Sequence, residues 1–185
     1  MRRRELLAGL PAVGLSAVAG CTVGGEPPEP DDLTLSAPAF DEGRIPKRFT
    51  CDGEDVSPPL VVEGVPDGSE SLAIVGEWLR SYGSATIWLL WNLPVEGRLE
   101  LPADIPNGPR VEVVDGARQG TNDEGFVGYR SPCHETPGQN EYRFNVYALD
   151  EPLSIEGGAD RDVFDEALEG AVRSSTTLTA VYERF

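Results

Sequence analysis

The chain has 185 residues, 39% hydrophobic and 25% charged, which is enough apolar material for one packed domain and too much for a wholly disordered chain. Its 32 Asp and Glu against 15 Lys and Arg give a formal charge of −17, and Lys47 is the only lysine. A surface of that sign repels phosphate backbones, which excludes nucleic acid as a partner, and its plainest origin is adaptation to very high salt, where screening shortens repulsion to a few Å.

Arg2, Arg3 and Arg4 precede an apolar run from Leu6 to Ala19, and the small residues of Val18-Ala19-Gly20 lead into Cys21. A charged start, an apolar run too short to cross a bilayer and a small-residue cleavage point predict an export signal over 1–20. The RRRELL stretch resembles a twin-arginine signal and VAGC a lipobox, whose cysteine is acylated; the alternative is an ordinary secretory signal with a chance cysteine. The expected location is the outer face of the cytoplasmic membrane. Cleavage before Cys21 leaves 12 basic and 31 acidic residues, so lipid and not charge would hold the protein there. A Gly-, Pro- and acid-rich tether is expected over 21–36, although LTLSA from Leu33 already has strand character.

Beyond it, PLVVEGV, SLAIVG, TIWLLWNL, RVEVV, YRFNVYAL and TTLTAVYE read as short strands, separated by DEGRIP, VPDGSE, IPNGP, TNDEG and ETPGQN. Such spacing predicts an antiparallel sandwich or barrel. In TIWLLWNL the residues Ile87 to Trp91 do not alternate with polar ones, so this strand is expected mid-sheet with both faces covered. One helix is expected in DRDVFDEALEGAVRSS, where Phe164, Leu168 and Val172 recur every four residues, with Asp162 as N-cap and Arg173 in the last turn.

The segments FTCDGEDVSPPL, WLLWNLP and YRSPC…PG…YRFNVYALD, in that order between Phe40 and Phe185, resemble the phosphatidylethanolamine-binding / Raf kinase inhibitor-like family in its prokaryotic branch. The resemblance implies a mainly β, antiparallel β-sandwich with one or two short helices near the C-terminus, a domain over 37–185, and a small anion-accepting pocket at one end. The pocket residues it places are Glu77, Trp78, Trp88, Tyr129, Arg130, Pro132, His134, Asn140 and Tyr142. The chain departs from the family's pattern where its polar groups fall. The usual Asp-containing turn reads WLRSY with Glu77 adjacent, one usual histidine is Ile87, and the histidine of the Gly-x-His-Arg-Tyr loop is Asn140. Either the pocket is abandoned, or it is rebuilt around Arg130, which stands where the family usually has glycine. Arg130 otherwise reads as a surface residue paired with a carboxylate, and Trp78 and Trp88 as core.

With Cys21 assigned to lipid, Cys51 and Cys133 are left as a disulfide pair in an exported protein; the competing reading is a reactive Cys133 beside His134. The only histidine is His134, and no metal triad, His-Glu-x-x-His, Gly-x-Ser-x-Gly or glycine-rich phosphate loop is present. The expectation is therefore a non-enzyme without cofactor or metal. Its expected partner is a small anionic ligand such as a phosphate or lipid headgroup; the alternative is a surface protein, such as a protease that it inhibits.

Overall fold

The computed structural model describes residues 32–134 and 137–184, so the predicted export signal, Cys21 and most of the tether lie outside the described residues. Among these, the strands in chain order are β1 (Thr34–Ser36), β2 (Leu60–Glu63), β3 (Ser71–Leu79), β4 (Ser84–Leu93), β5 (Arg98–Leu101), β6 (Arg118–Gln119), β7 (Gly138–Leu149) and β8 (Val172–Arg184). They form two antiparallel sheets, ordered β1-β2-β5 and β6-β4-β3-β7-β8.

The two sheets bury one core between them. Leu60, Val62, Leu99 and Leu101 of the smaller sheet face Leu72, Ile74, Trp88, Leu90, Phe144 and Val146 of the larger. A second cluster covers the other face of the large sheet, where Ala73, Val75, Leu89 and Trp91 receive Phe164 and Leu168 of the helix α1 (Arg161–Leu168). With apolar groups demanded on both faces, β4 cannot alternate, which is why TIWLLWNL reads as an unbroken apolar run. A Cβ on Gly76 would lie 3.1 to 3.3 Å from side chains of Ile87, Phe144 and Trp88, so glycine lets the strands close tightly at that point.

Several expectations need correction. The fold starts before residue 37: Leu33 and Leu35 are buried, and β1 pairs with β2, because alternate apolar residues can cover the small sheet. RVEVV is not a strand. Val111 and Val114 anchor in the core, but the Val114 and Ala117 N–H groups close successive tight turns to the Val111 and Val114 carbonyls, leaving Val113 57% exposed. The strands β5 and β6, of four and two residues, carry too little pattern to be read. The helix is capped by Asp160, whose side chain accepts from the Val163 N–H at 3.1 Å, and not by Asp162. It ends at Leu168, and Gly170 (φ +80°) turns the chain into β8, so Val172 and Arg173 belong to a strand.

Candidate functional site

Successive residues of a strand point to opposite faces, and the end of β3 uses this to separate two polar environments. Glu77 points to the outer face, beneath α1. Its side chain is 4% exposed and accepts from Arg143 Nη2 at 2.8 Å and Nε at 3.1 Å, Asn145 Nδ2 at 3.0 Å, Arg161 Nη1 at 3.0 Å and the Ser84 hydroxyl at 2.8 Å. Burial pushes the Glu77 pKa up, but the bonds from Arg143, Ser84 and Arg161 outweigh it and hold the carboxyl below its ordinary range. Glu77 therefore does not belong to the pocket in which the resemblance placed it.

Trp78, the next residue, turns to the opposite face and walls a recess of about 760 Å³. The recess lies where the end of β3, the start of β7, the loop 121–127 and the segment 129–134 meet. The Trp78 indole N–H donates to Asn140 Oδ1 at 3.0 Å, and the guanidinium carbons of Arg80 and Arg130 lie 4.5 and 5.8 Å from its ring centroid. Arg130 is fixed through its backbone, whose N–H donates to the Ile87 carbonyl at 2.8 Å. Its Nη2 pairs with Glu124 Oε1 at 2.7 Å, with side-chain exposures of 16% and 54%. The other terminal nitrogen, Nη1, is buried with no partner among the described residues.

His134 is buried at the same recess. Its Nε2–H donates to the Gly138 carbonyl at 3.1 Å, its ring meets Tyr182 edge-on at 5.8 Å, and Nδ1 has no partner among the described residues. Cys51 and Cys133 form a disulfide in the recess wall, with Cα atoms 5.4 Å apart across 82 residues of sequence. The bond joins β8 to the wall indirectly as well: Asp52, next to Cys51, accepts from the Tyr182 hydroxyl at 2.6 Å and from Arg184 Nη2 at 2.8 Å. Those bonds outweigh desolvation and lower the Asp52 pKa.

Of the sequence-placed pocket residues, the structure brings Trp78, Tyr129, Arg130, His134 and Asn140 together. Trp88 is fully buried in the core, donating its indole N–H to Gln119 Oε1 at 2.8 Å and packing edge-on against Tyr129 at 5.3 Å. Tyr142 and Pro132 are likewise buried behind the wall and do not line it. Burial pushes the phenols of Tyr129 and Tyr142 well up, and Tyr129 donates its hydroxyl hydrogen to the Phe49 carbonyl at 3.0 Å. The Ile87 side chain is in the core, so the family's polar group at that place has no counterpart.

Sequence reasoning missed Asp55, Asn107, Glu124 and Phe126 in the wall. Asn107 had a legible role only in three dimensions. Its Oδ1 accepts the Tyr129 N–H at 3.0 Å, over a Gly128 (φ +127°) whose Cβ would collide with that oxygen at 2.1 Å. Glu124 lies in TNDEG, a sequence whose turn chemistry hides that its side chain reaches Arg130.

The molecule is thus a two-sheet antiparallel domain with a single-cation recess at one end of its long strands. A family model described as phosphatidylethanolamine-binding protein matches residues 36–183. A UPF0098 protein of Methanothermobacter thermautotrophicus is 40% identical over 154 residues, covering 82% of this chain and 99% of the relative. Another UPF0098 protein, from Pyrococcus horikoshii, is 38% identical over 167 residues, covering 89% and 82%. Among solved structures, a phosphatidylethanolamine-binding protein homologue from Chlamydia trachomatis has a TM-score of 0.69 at 32% identity, covering 84% of this chain and 99% of its own. Escherichia coli YBCL has a TM-score of 0.72 at 22% identity, covering 83% and 99%, a likeness of fold alone. The chain belongs to the phosphatidylethanolamine-binding protein family.

Proposed function

We propose that this protein is a non-catalytic, ligand-binding member of its family, exported and held at the outer face of the membrane by a lipid on Cys21, with its recess taking a small anionic ligand on Arg130. The observation that carries this reading is the state of the Arg130 guanidinium. It is the one cationic side chain among the described residues of the wall, largely buried, and only one of its nitrogens is paired. An unsatisfied buried donor costs about 1–3 kcal/mol, and an incoming anion removes that cost while gaining a charge-assisted bond. This favours a rebuilt pocket over an abandoned one. The acidic surface fits a high-salt exterior.

Thermal-shift measurements with phosphate and small organic acids at high salt test the reading, because a ligand at 100 times its Kd stabilises by about 2.7 kcal/mol. A shift that Arg130→Ala abolishes is expected, and no shift with any anion sinks the ligand-binding reading. Membrane fractionation of Cys21→Ala tests the anchor: the variant is expected in the soluble fraction, and continued sedimentation refutes it.

A second reading, inhibition of a protein partner, is favoured by the β3–β4 hairpin. Its turn is closed by the Arg80 N–H to the Gly83 carbonyl at 3.0 Å and leaves Tyr82 98% exposed beside the recess. Tyr82→Ala would then abolish partner binding and leave anion-induced stabilisation intact.

A further inference from the structure

We propose that Glu124 stands in for the acid group of the ligand: the recess takes a carboxylate on an apolar body, which displaces Glu124 from Arg130. The inference rests on the ligand-binding reading above and names the ligand's chemistry.

The 2.7 Å contact from Arg130 Nη2 to Glu124 Oε1 is an ion pair at the separation that carboxylates keep from guanidinium groups. Its two partners are unequal. Arg130 is largely buried and its backbone is tied to β4, whereas the Glu124 side chain is more than half exposed on the rim. The Glu124 backbone is held independently of that contact, since its N–H donates to Asn122 Oδ1 at 3.0 Å and the Gly125 N–H closes the turn to the Asn122 carbonyl at 2.9 Å. The carboxylate can therefore swing away without unfolding its loop. An ion pair with one such exposed member is worth about 0–1 kcal/mol, little enough for a ligand to displace.

Charge selects the class of anion. The wall carries Asp55 and Glu124 against Arg130, so a carboxylate replaces one negative charge by one, while a phosphate monoester dianion adds a further charge beside two resident carboxylates. Beside polar groups such as Asn107 and Asn140, three aromatic side chains line the recess: Trp78, Tyr129 and Phe126, the last exposed at the rim, offer apolar surface for a group attached to the acid. A carboxylate on an apolar residue could reach the recess as a free acid or as the end of a peptide, and the two share the same contacts.

Titration calorimetry on the full-length chain in detergent, with N-acetylphenylalanine, its amide, phenyl phosphate and N-acetyl-Ala-Ala-Phe, tests this. The free carboxylates are expected to bind, the amide to fail, and phenyl phosphate to bind more weakly above pH 7. Glu124→Gln is expected to tighten N-acetylphenylalanine about fivefold, the upper end of what the displaced pair is worth, with an unchanged melting temperature. Arg130→Ala and Arg130→Lys are expected to abolish and weaken binding respectively, the second showing that the fork matters as well as the charge. Tighter binding of the tripeptide would identify a chain terminus as the source; equal binding would identify a free acid. If Arg130→Ala abolishes binding but Glu124→Gln leaves it unchanged or weaker, or if phenyl phosphate binds best, the stand-in role is overturned while the anion site survives. If neither the wild type nor Glu124→Gln binds any probe, the ligand-binding reading falls with it.

Discussion

Glu77 and Trp78 are neighbours in sequence, and the two sides of β3 on which they lie show what a polar cluster does when its bonds are complete and when they are not. On the outer face one buried carboxylate takes bonds from two arginines, an asparagine and a serine, joining β3, β4, β7 and α1. On the recess side one largely buried guanidinium has a single, half-exposed carboxylate partner and a nitrogen with none among the described residues. The first arrangement is closed to any further ligand and ties the helix to the sheet. The second has capacity left over, and the wall around it is held by the disulfide, the backbone bond to Ile87 and the side-chain bonds of Trp78, Asn107 and His134 rather than by the Arg130–Glu124 pair.

That contrast predicts where stability is lost. The largest effect is expected from the covalent support of the recess: replacing both Cys51 and Cys133 by serine frees a loop spanning 82 residues, about 4.5 kcal/mol in the chain-entropy account, measured as the loss of unfolding free energy in urea. A loss below about 1 kcal/mol would mean that the wall's polar contacts hold it without the covalent link. Next comes Glu77→Ala, which leaves Arg143 and Arg161 facing each other. Breaking a buried pair costs about 3–5 kcal/mol, and because both arginines are about a third exposed and can rehydrate, a loss near or somewhat below the lower end, about 2–3 kcal/mol, is expected. Anion binding at the recess should survive Glu77→Ala, since the cluster lies on the other face of the sheet.

The same geometry explains what the sequence revealed. The antiparallel β class, the doubly covered β4 and the pairing of Cys51 with Cys133 were legible because each follows from a rule that acts locally or by counting: apolar runs, turn residues, two cysteines left once Cys21 is set aside. Glu77 was placed on the wrong side because its position in a motif was followed and the alternation of β3 was not, although EW at the end of an otherwise apolar strand already implies opposite faces. RVEVV alternates like a strand, yet Val111 and Val114 serve only as anchors of turns. Asn107 lies 22 residues before Tyr129 and Asp55 farther still, while Glu124, close to Arg130 in sequence, sits in a turn whose composition reads as solvent-facing. No spacing rule could bring them together.

Acid should separate the two clusters next. The Glu77 carboxyl is held below its ordinary value of 4.5, so the folded protein binds its proton less readily than the unfolded chain. Its contribution is present in full above that ordinary value and is lost as pH falls through the folded one. Asp52, lowered by its bonds to Tyr182 and Arg184, acts with the same sign. Melting temperature measured from pH 6 downward should therefore fall below about pH 4.5, and Glu77→Gln should flatten that fall. An equal slope in the variant would show that the cluster is not what links protonation to folding.

The smallest effect on stability, and the sharpest test of the contrast, is expected at Arg130. Replacing a buried charge by an apolar side chain of similar length removes a desolvation cost together with one exposed ion pair worth about 0–1 kcal/mol. Arg130→Met should thus unfold within about 0.5 kcal/mol of wild type, or be slightly more stable, since the thioether can pack against Trp78 and no longer leaves an unpaired nitrogen inside the fold. A destabilisation of about 2 kcal/mol or more would place Arg130 in the same structural class as Arg161, as a group the fold needs. Near-neutrality would instead mean that the fold keeps a costly, half-satisfied guanidinium for which it has no structural use, which is the condition expected of a residue retained for what it binds.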